Sequence, residues 1–209
     1  MDTLALKLII TPTLIGFATW VGRRWGPAVS GWLVGIPFTS GPITFFIALS
    51  QGTSFAAATD VGILAGTISQ AVFCLAYAWI ALRFNWLTTI VLSCIVFFIA
   101  TAALELLTVP LVPLLLLAWG SLALAIFLLP RRSEQAPPIP RPPSRSDIPL
   151  RMIVATAFVL LLTGIAPLIG ARLTGLLSPF PLYTAILAVF AQRSAGAYPA
   201  IKVVRGLLY

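Results

Sequence analysis

Residues 84–129 read FNWLTTIVLSCIVFFIATAALELLTVPLVPLLLLAWGSLALAIFLL and contain a single charge, Glu105. Two apolar runs, Phe84–Leu104 and Leu107–Leu129, lie on either side of it. Each has the roughly 20 residues that a helix needs to cross about 30 Å of hydrocarbon. Neither alternates in polarity, as a strand of a membrane barrel would. A soluble protein with one apolar core does not need uncharged runs of this length, so the stretch reads as two membrane-spanning helices joined by a short turn.

The same pattern extends in both directions. Upstream are Leu4–Val21, closed by Arg23 and Arg24, then Gly26–Ser50, interrupted by Gly35, Pro37, Gly41 and Pro42, and Phe55–Leu82, ended by Arg83. Downstream are Leu150–Ile169, Leu173–Ala191 and a further helix start near Tyr198. Only 9% of residues are charged and 60% are hydrophobic, against about 25% charged in a soluble domain. The expected fold is an all-α, polytopic transmembrane helical bundle.

Between the two groups of runs lies PRRSEQAPPIPRPPSRSDIP, residues 130–149. Its prolines block helix and it has no apolar face, so it reads as an exposed linker with polyproline-II character. A docking role for its P-x-x-P spacing is the weaker alternative. The chain therefore divides into a first transmembrane unit of five helices (residues 1–129), the linker (130–149) and a second unit of about two and a half helices (150–209), expected to be a truncated copy.

The net charge of +8 would point to nucleic acid in a soluble protein, but here topology accounts for it and no nucleic-acid partner is expected. With alternating crossings, one side collects Arg23, Arg24, Arg83, Arg131, Arg132, Arg141, Arg145, Arg151, Arg193, Lys202 and Arg205, and the other only Lys7 and Arg172. Positive loops stay in the cytoplasm, so the linker is expected inside and the N-terminus outside.

Laying the chain over itself with an offset of 144 brings GPAVSGWLVGIPFTSGPITFFIALSQG, from Gly26, onto GARLTGLLSPFPLYTAILAVFAQRSAG, from Gly170. Gly26, Gly31, Pro37, Gly52 and Gly62 meet Gly170, Gly175, Pro181, Gly196 and Gly206; Leu33, Phe46, Ser50, Ala56 and Leu64 meet Leu177, Phe190, Ser194, Ala200 and Leu208. Five crossings precede the second copy, so the copies would be inverted. Inverted repeats whose helices are broken at matching Gly/Pro positions are the sequence pointer to a secondary transporter.

Proline in mid-helix removes a ladder donor and clashes with the preceding turn. In lipid such a break is tolerated only within the bundle or beside a cavity. Gly41–Pro42 and Ser178–Pro179 resemble helix starts, whose partial positive charge favours an anionic group. The expected substrate site is therefore Pro37, Phe38, Thr39, Ser40, Gly41, Pro42, Ser178, Pro179, Pro181, Leu182, Tyr183 and Thr184. The competing reading is that these residues serve only close packing and a kink.

Asp60 is the one acid well inside an expected helix; intramembrane acids often carry protons, so it is the candidate for ion coupling, against snorkelling near the interface. Gln70 reads as a structural hydrogen bonder, Glu105 as a turn residue, and Lys202 and Arg205 as snorkelling cations. Trp25 and Trp86 suit the interfacial belt, whereas Trp32, Trp79 and Trp119 are expected to pack against neighbours. With no histidine, few acids, and Cys74 and Cys94 inside apolar runs, no metal site, cofactor or catalytic residue is expected, and the chain does not read as an enzyme.

Gly175, Leu176, Pro179, Phe180, Pro181 and Gly206, within GLLSPFPLYTAILAVFAQRSAGAYPAIKVVRGLLY, resemble a motif of the small GlpM-type bacterial integral membrane proteins. The first copy keeps Gly31, Pro37 and Gly62 of it. The resemblance implies a bacterial inner-membrane location and a fused, inverted pair of such units, with the second shorter than the family's chains. That family's activity is poorly defined, so no chemistry follows from it. Taken together, the sequence reads as a transporter-like carrier of an anionic or amphipathic molecule by alternating access, with a scaffold or accessory subunit as the alternative. Expected partners are membrane lipids and an unidentified small-molecule substrate, and a homo-oligomer is left open.

Overall fold

An apolar run in lipid has no water to satisfy its peptide groups, so it must close its hydrogen bonds within itself. A computed structural model describes residues 3–25, 39–130 and 147–209, and among these every regular element is an α-helix. In chain order they are α1 (Thr3–Trp25), α2 (Ser40–Gln51), α3 (Thr53–Ala81), α4 (Trp86–Leu106), α5 (Leu111–Leu128), α6 (Asp147–Ile169), α7 (Ala171–Leu177), α8 (Leu182–Ala195) and α9 (Ala197–Leu207). Helices α3, α4 and α5, most of α6 (Met152–Ile169) and the α7–α8 stretch (Ala171–Ala195) are long and apolar enough to cross a membrane. The protein is an all-α, multi-pass membrane protein.

Helix boundaries follow local chemistry. Asn85 caps α4 by accepting the Thr88 N–H at 2.9 Å, the role for which Asn is favoured. Gly52 and Gly196, a pair in the repeat alignment, both adopt φ 89° with extended ψ. Only glycine tolerates that region, and it lets α3 and α9 restart one residue after α2 and α8 end. The limits of α1 and α6 also differ by the same offset of 144. These two helices pack together, with Gly16 beside Met152, and Leu6 and Ile10 in one cluster with Val159 and Leu162; the contacts run antiparallel.

Helix α3 is the hub, packed against α2, α4, α5, α7 and α9. Its contact with α7 is backbone-close. A Cβ on Gly62 would meet the Arg172 carbonyl oxygen, and one on Gly66 would lie 2.9 Å from Pro179 Cδ. A Cβ on Gly175 would lie 2.7 Å from the Gly62 Cα. Lipid gives helices no hydrophobic reason to associate, so dispersion at close approach must hold them, and small residues four apart provide it.

Polar contacts sort the bundle into two ends. At one, Gln192 Nε2 donates to the Phe84 carbonyl at 3.1 Å, Arg193 stacks 4.9 Å over Trp86, and Arg205 donates to the Pro130 carbonyl at 2.9 Å. At the other, Arg172 meets Glu105 at 3.6 Å. Two sequence expectations need correction here. Glu105 lies in the last turn of α4 and is half of this ion pair, not a turn residue, because α4 runs two residues further than expected. Trp119 is 70% exposed and does not pack into the bundle; an indole on the lipid-facing side of α5 needs no protein neighbour. Trp79, also on an outer face, is held by donating from Nε1 to the Leu128 carbonyl at 3.2 Å. Trp32 and linker residues 131–146 fall outside the described residues, and the linker's expected last three, Asp147, Ile148 and Pro149, are instead the first turn of α6, where proline's missing N–H costs nothing.

Candidate functional site

Helix α2 has 12 residues, about 18 Å at 1.5 Å per residue, and spans only part of the length of α3. The Gly52 turn lays the two side by side in opposite directions, with Thr44 Oγ1 donating to Asp60 Oδ1 at 2.6 Å. The start of α2 therefore faces the middle of α3. Thr39, at the N-cap, makes no side-chain cap, Pro42 has no N–H to give, and the first turn of any helix leaves its donors without intrahelical acceptors.

An open groove of about 400 Å³ runs along this junction, lined by Ser40, Gly41, Thr44, Phe45, Asp60 and Ile63. Of the residues expected at the site, Ser40, Gly41 and Asp60 thus meet in one groove. Thr39 lies at its edge by sequence, and Pro42 is buried on another side of α2. Pro37 and Phe38 fall outside the described residues. Thr44, Phe45 and Ile63 were not anticipated. Their signal was the i, i+4 spacing of Ser40 and Thr44 on one helix face, which has no meaning until the Gly52 turn brings Asp60 opposite.

The second group of expected residues occupies a different place. Ser178 ends α7: its N–H donates to the carbonyls of Thr174 and Gly175, both at 3.1 Å, and its hydroxyl to Thr174 at 2.9 Å. Helix α8 begins only at Leu182, with Pro181 as N-cap. Ser178–Pro179 is therefore a helix end and not the helix start its sequence resembles. The Ser178 donors find partners backwards, and the chain turns through Pro179 and Phe180 before Pro181 sets the next helix. The crossing is broken, with the broken groups satisfied locally: Phe180 N–H bonds Leu177 and Leu182 N–H bonds Phe180. Tyr183 and Thr184 follow in the first turn of α8, half-buried.

Phe180 fills this break. Its ring centre lies 5.0 Å from Phe97, 6.0 Å from Phe98, 6.1 Å from Phe73 and 6.5 Å from Phe158. Pro179 touches α3 at Gly66, one turn on from the contact of Gly175 with Gly62. The second break is thus a packed aromatic knot, whereas the first is open to a groove.

Three polar features were not singled out from sequence. Lys7, counted there with the loop charges, is only 9% exposed, with Nζ 5.9 Å from the centre of the Phe46 ring on α2. It makes no ion pair among the described residues. Thr11 and Thr156, on the packed pair α1 and α6, are buried with hydroxyls that have no hydrogen-bond partner among the described residues, whereas most other helix hydroxyls bond a carbonyl one turn back. Gln192 joins α8 to α3 and α4: Tyr77 donates to its Oε1 at 2.9 Å and its Nε2 donates to Thr89 Oγ1 at 3.2 Å. The described residues hold no cluster of three His, Cys, Asp or Glu placed for a metal ion. Set beside known proteins, the chain matches no family model, no curated protein and no solved structure.

Proposed function

We propose that this protein is a carrier of an anionic or amphipathic small molecule in the bacterial inner membrane, working by alternating access around the start of α2. The observation that carries the proposal is Lys7, a side chain largely covered on α1 whose ammonium rests against Phe46 of α2 with no carboxylate partner among the described residues. A charge inside a bundle is costly and is retained where it has work to do. The uncapped start of α2 adds partial positive charge, and the unsatisfied hydroxyls of Thr11 and Thr156 add donors. Lys7 and the start of α2 both favour an anion over a cation.

Two inverted units, residues 1–129 and 150–209 joined by a cytoplasmic linker, belong to the same reading. Its support is the recurrence of helix limits and of the Gly52/Gly196 turn at one offset, and the antiparallel contact of α1 with α6. The likeness to GlpM-type proteins covers residues 175–209, from the second break to Gly206 and beyond, and only Gly31, Pro37 and Gly62 of it recur in the first unit. Asp60, held by Thr44 in the groove, is the coupling group in this scheme.

The test is mass spectrometry of small molecules retained by purified protein, wild type against Lys7→Met. A retained anion that is lost in Lys7→Met supports the carrier. An unchanged set of retained molecules sinks it. One observation favours the second reading, a non-transporting scaffold: the aromatic packing of Phe180 makes the α7–α8 break solid. Under that reading the Lys7→Met protein retains what the wild type retains and merely changes in stability.

A further inference from the structure

At the end of the bundle that holds Glu105, a cleft of about 310 Å³ opens between α3, the α4–α5 turn and the start of α7. Ala58, Val61, Leu104, Leu107 and Leu114 line it, and Arg172 is its only charged wall residue. Val61 and Leu107 are exposed, so in a bilayer the cleft faces acyl chains. At roughly 30 Å³ for a water-sized group, it holds about ten methylenes.

The rim carries both signs of charge. Arg172 Nη2 donates to the Leu104 carbonyl at 2.8 Å, which also accepts the Leu107 N–H, and to the Leu107 carbonyl, so it caps the C-terminal end of α4. Its Nε faces Glu105 Oε2 at 3.6 Å, an ion pair longer than a hydrogen bond. Capping α4 accounts for those nitrogens. It does not account for Nη1, whose two N–H groups bond nothing among the described residues. Nor does it account for Glu105, a partly exposed side chain whose Oε2 is covered and accepts no hydrogen bond among the described residues.

We infer that this cleft seats one acyl chain of a phosphoethanolamine lipid, with the phosphate on Arg172 Nη1 and the primary ammonium on Glu105. The pairing follows from charge. A net-anionic headgroup gains from Arg172 and is repelled by Glu105. A choline headgroup has no N–H to give the carboxylate. Only a headgroup with a phosphate and a protonated amine satisfies both.

The experiment uses the full chain, delipidated in detergent and offered phosphatidylethanolamine, phosphatidylglycerol or phosphatidylcholine of matched chains, with bound lipid counted by native mass spectrometry. The ethanolamine lipid is expected to be retained about fivefold over both others, the scale of one net hydrogen bond. Glu105→Gln removes its advantage over the choline lipid. Arg172→Gln lowers retention of all three, and Ala58→Trp, which fills the cleft from its rim, abolishes specific retention. Equal retention of ethanolamine and choline lipids by the wild type overturns the inference, and this comparison needs no variant to fold. Soluble phosphoethanolamine competing as well as the lipid overturns the role given to the chain.

Discussion

Glycine decides the closest contact in this protein. At the α3–α7 crossing a single added methyl on Gly62 or Gly175 meets backbone, and backbone cannot turn aside as a side chain does. Gly62→Ala is expected to cost about 1–3 kcal/mol, the usual range for overpacking, read as a lowered midpoint of thermal unfolding in detergent. At Gly120, on the lipid-facing side of α5, an added methyl would meet nothing within 4 Å. Gly120→Ala should leave the midpoint unchanged or raise it, since alanine favours helix over glycine by about 1 kcal/mol. Equal losses in both variants would mean that the crossing is not the constraint. The spacing of Gly62 and Gly66 could be read from sequence as a packing motif. The partner could not, because Gly175 lies more than a hundred residues away and is chosen only when α7 folds back onto α3.

The crossing elements were legible to different depths. Charge-free runs announce helices in lipid because nothing else satisfies their backbone, and every run with described residues became helical. Breaks at Gly and Pro were legible too, since proline's missing donor is a local fact. Which way each break caps was not. Ser178–Pro179 looks like a start because Ser and Pro favour that position, yet the Ser178 N–H finds the Thr174 and Gly175 carbonyls first, and the helix ends there. The Arg172–Glu105 pair was invisible for a related reason: each residue sits near a helix end where solvent is the default partner. At this scale the aromatic knot is the test. Phe180→Ala should destabilise the protein by about 3–5 kcal/mol, while Leu116→Ala, on an exposed face of α5, should be near neutral. If Phe180→Ala is as mild as Leu116→Ala, the break is not held by its rings and the carrier reading gains a second mobile element.

Across the whole molecule, the contacts state which residues share an end, and the charge count gives the expectation of which end is inside. Gln192 with Phe84, Arg193 with Trp86 and Arg205 with Pro130 gather at one end, the end to which charge counting assigns eleven of the basic residues. Glu105 and Arg172 share the other. These groupings come from independent sources, since hydrogen bonds know nothing of the positive-inside rule, and together they make orientation testable with two single cysteines. The native thiols are buried or half-buried inside helices, so a membrane-impermeant maleimide should ignore them. Ser144→Cys in the linker is expected to resist that reagent in intact cells and to react after permeabilisation. Thr108→Cys in the α4–α5 turn, which is exposed, should react without permeabilisation. The reverse pattern would invert the protein while leaving the bundle intact. Labelling of both from outside would break the bundle's division into two ends, and with it the alternating crossings on which an inverted pair depends.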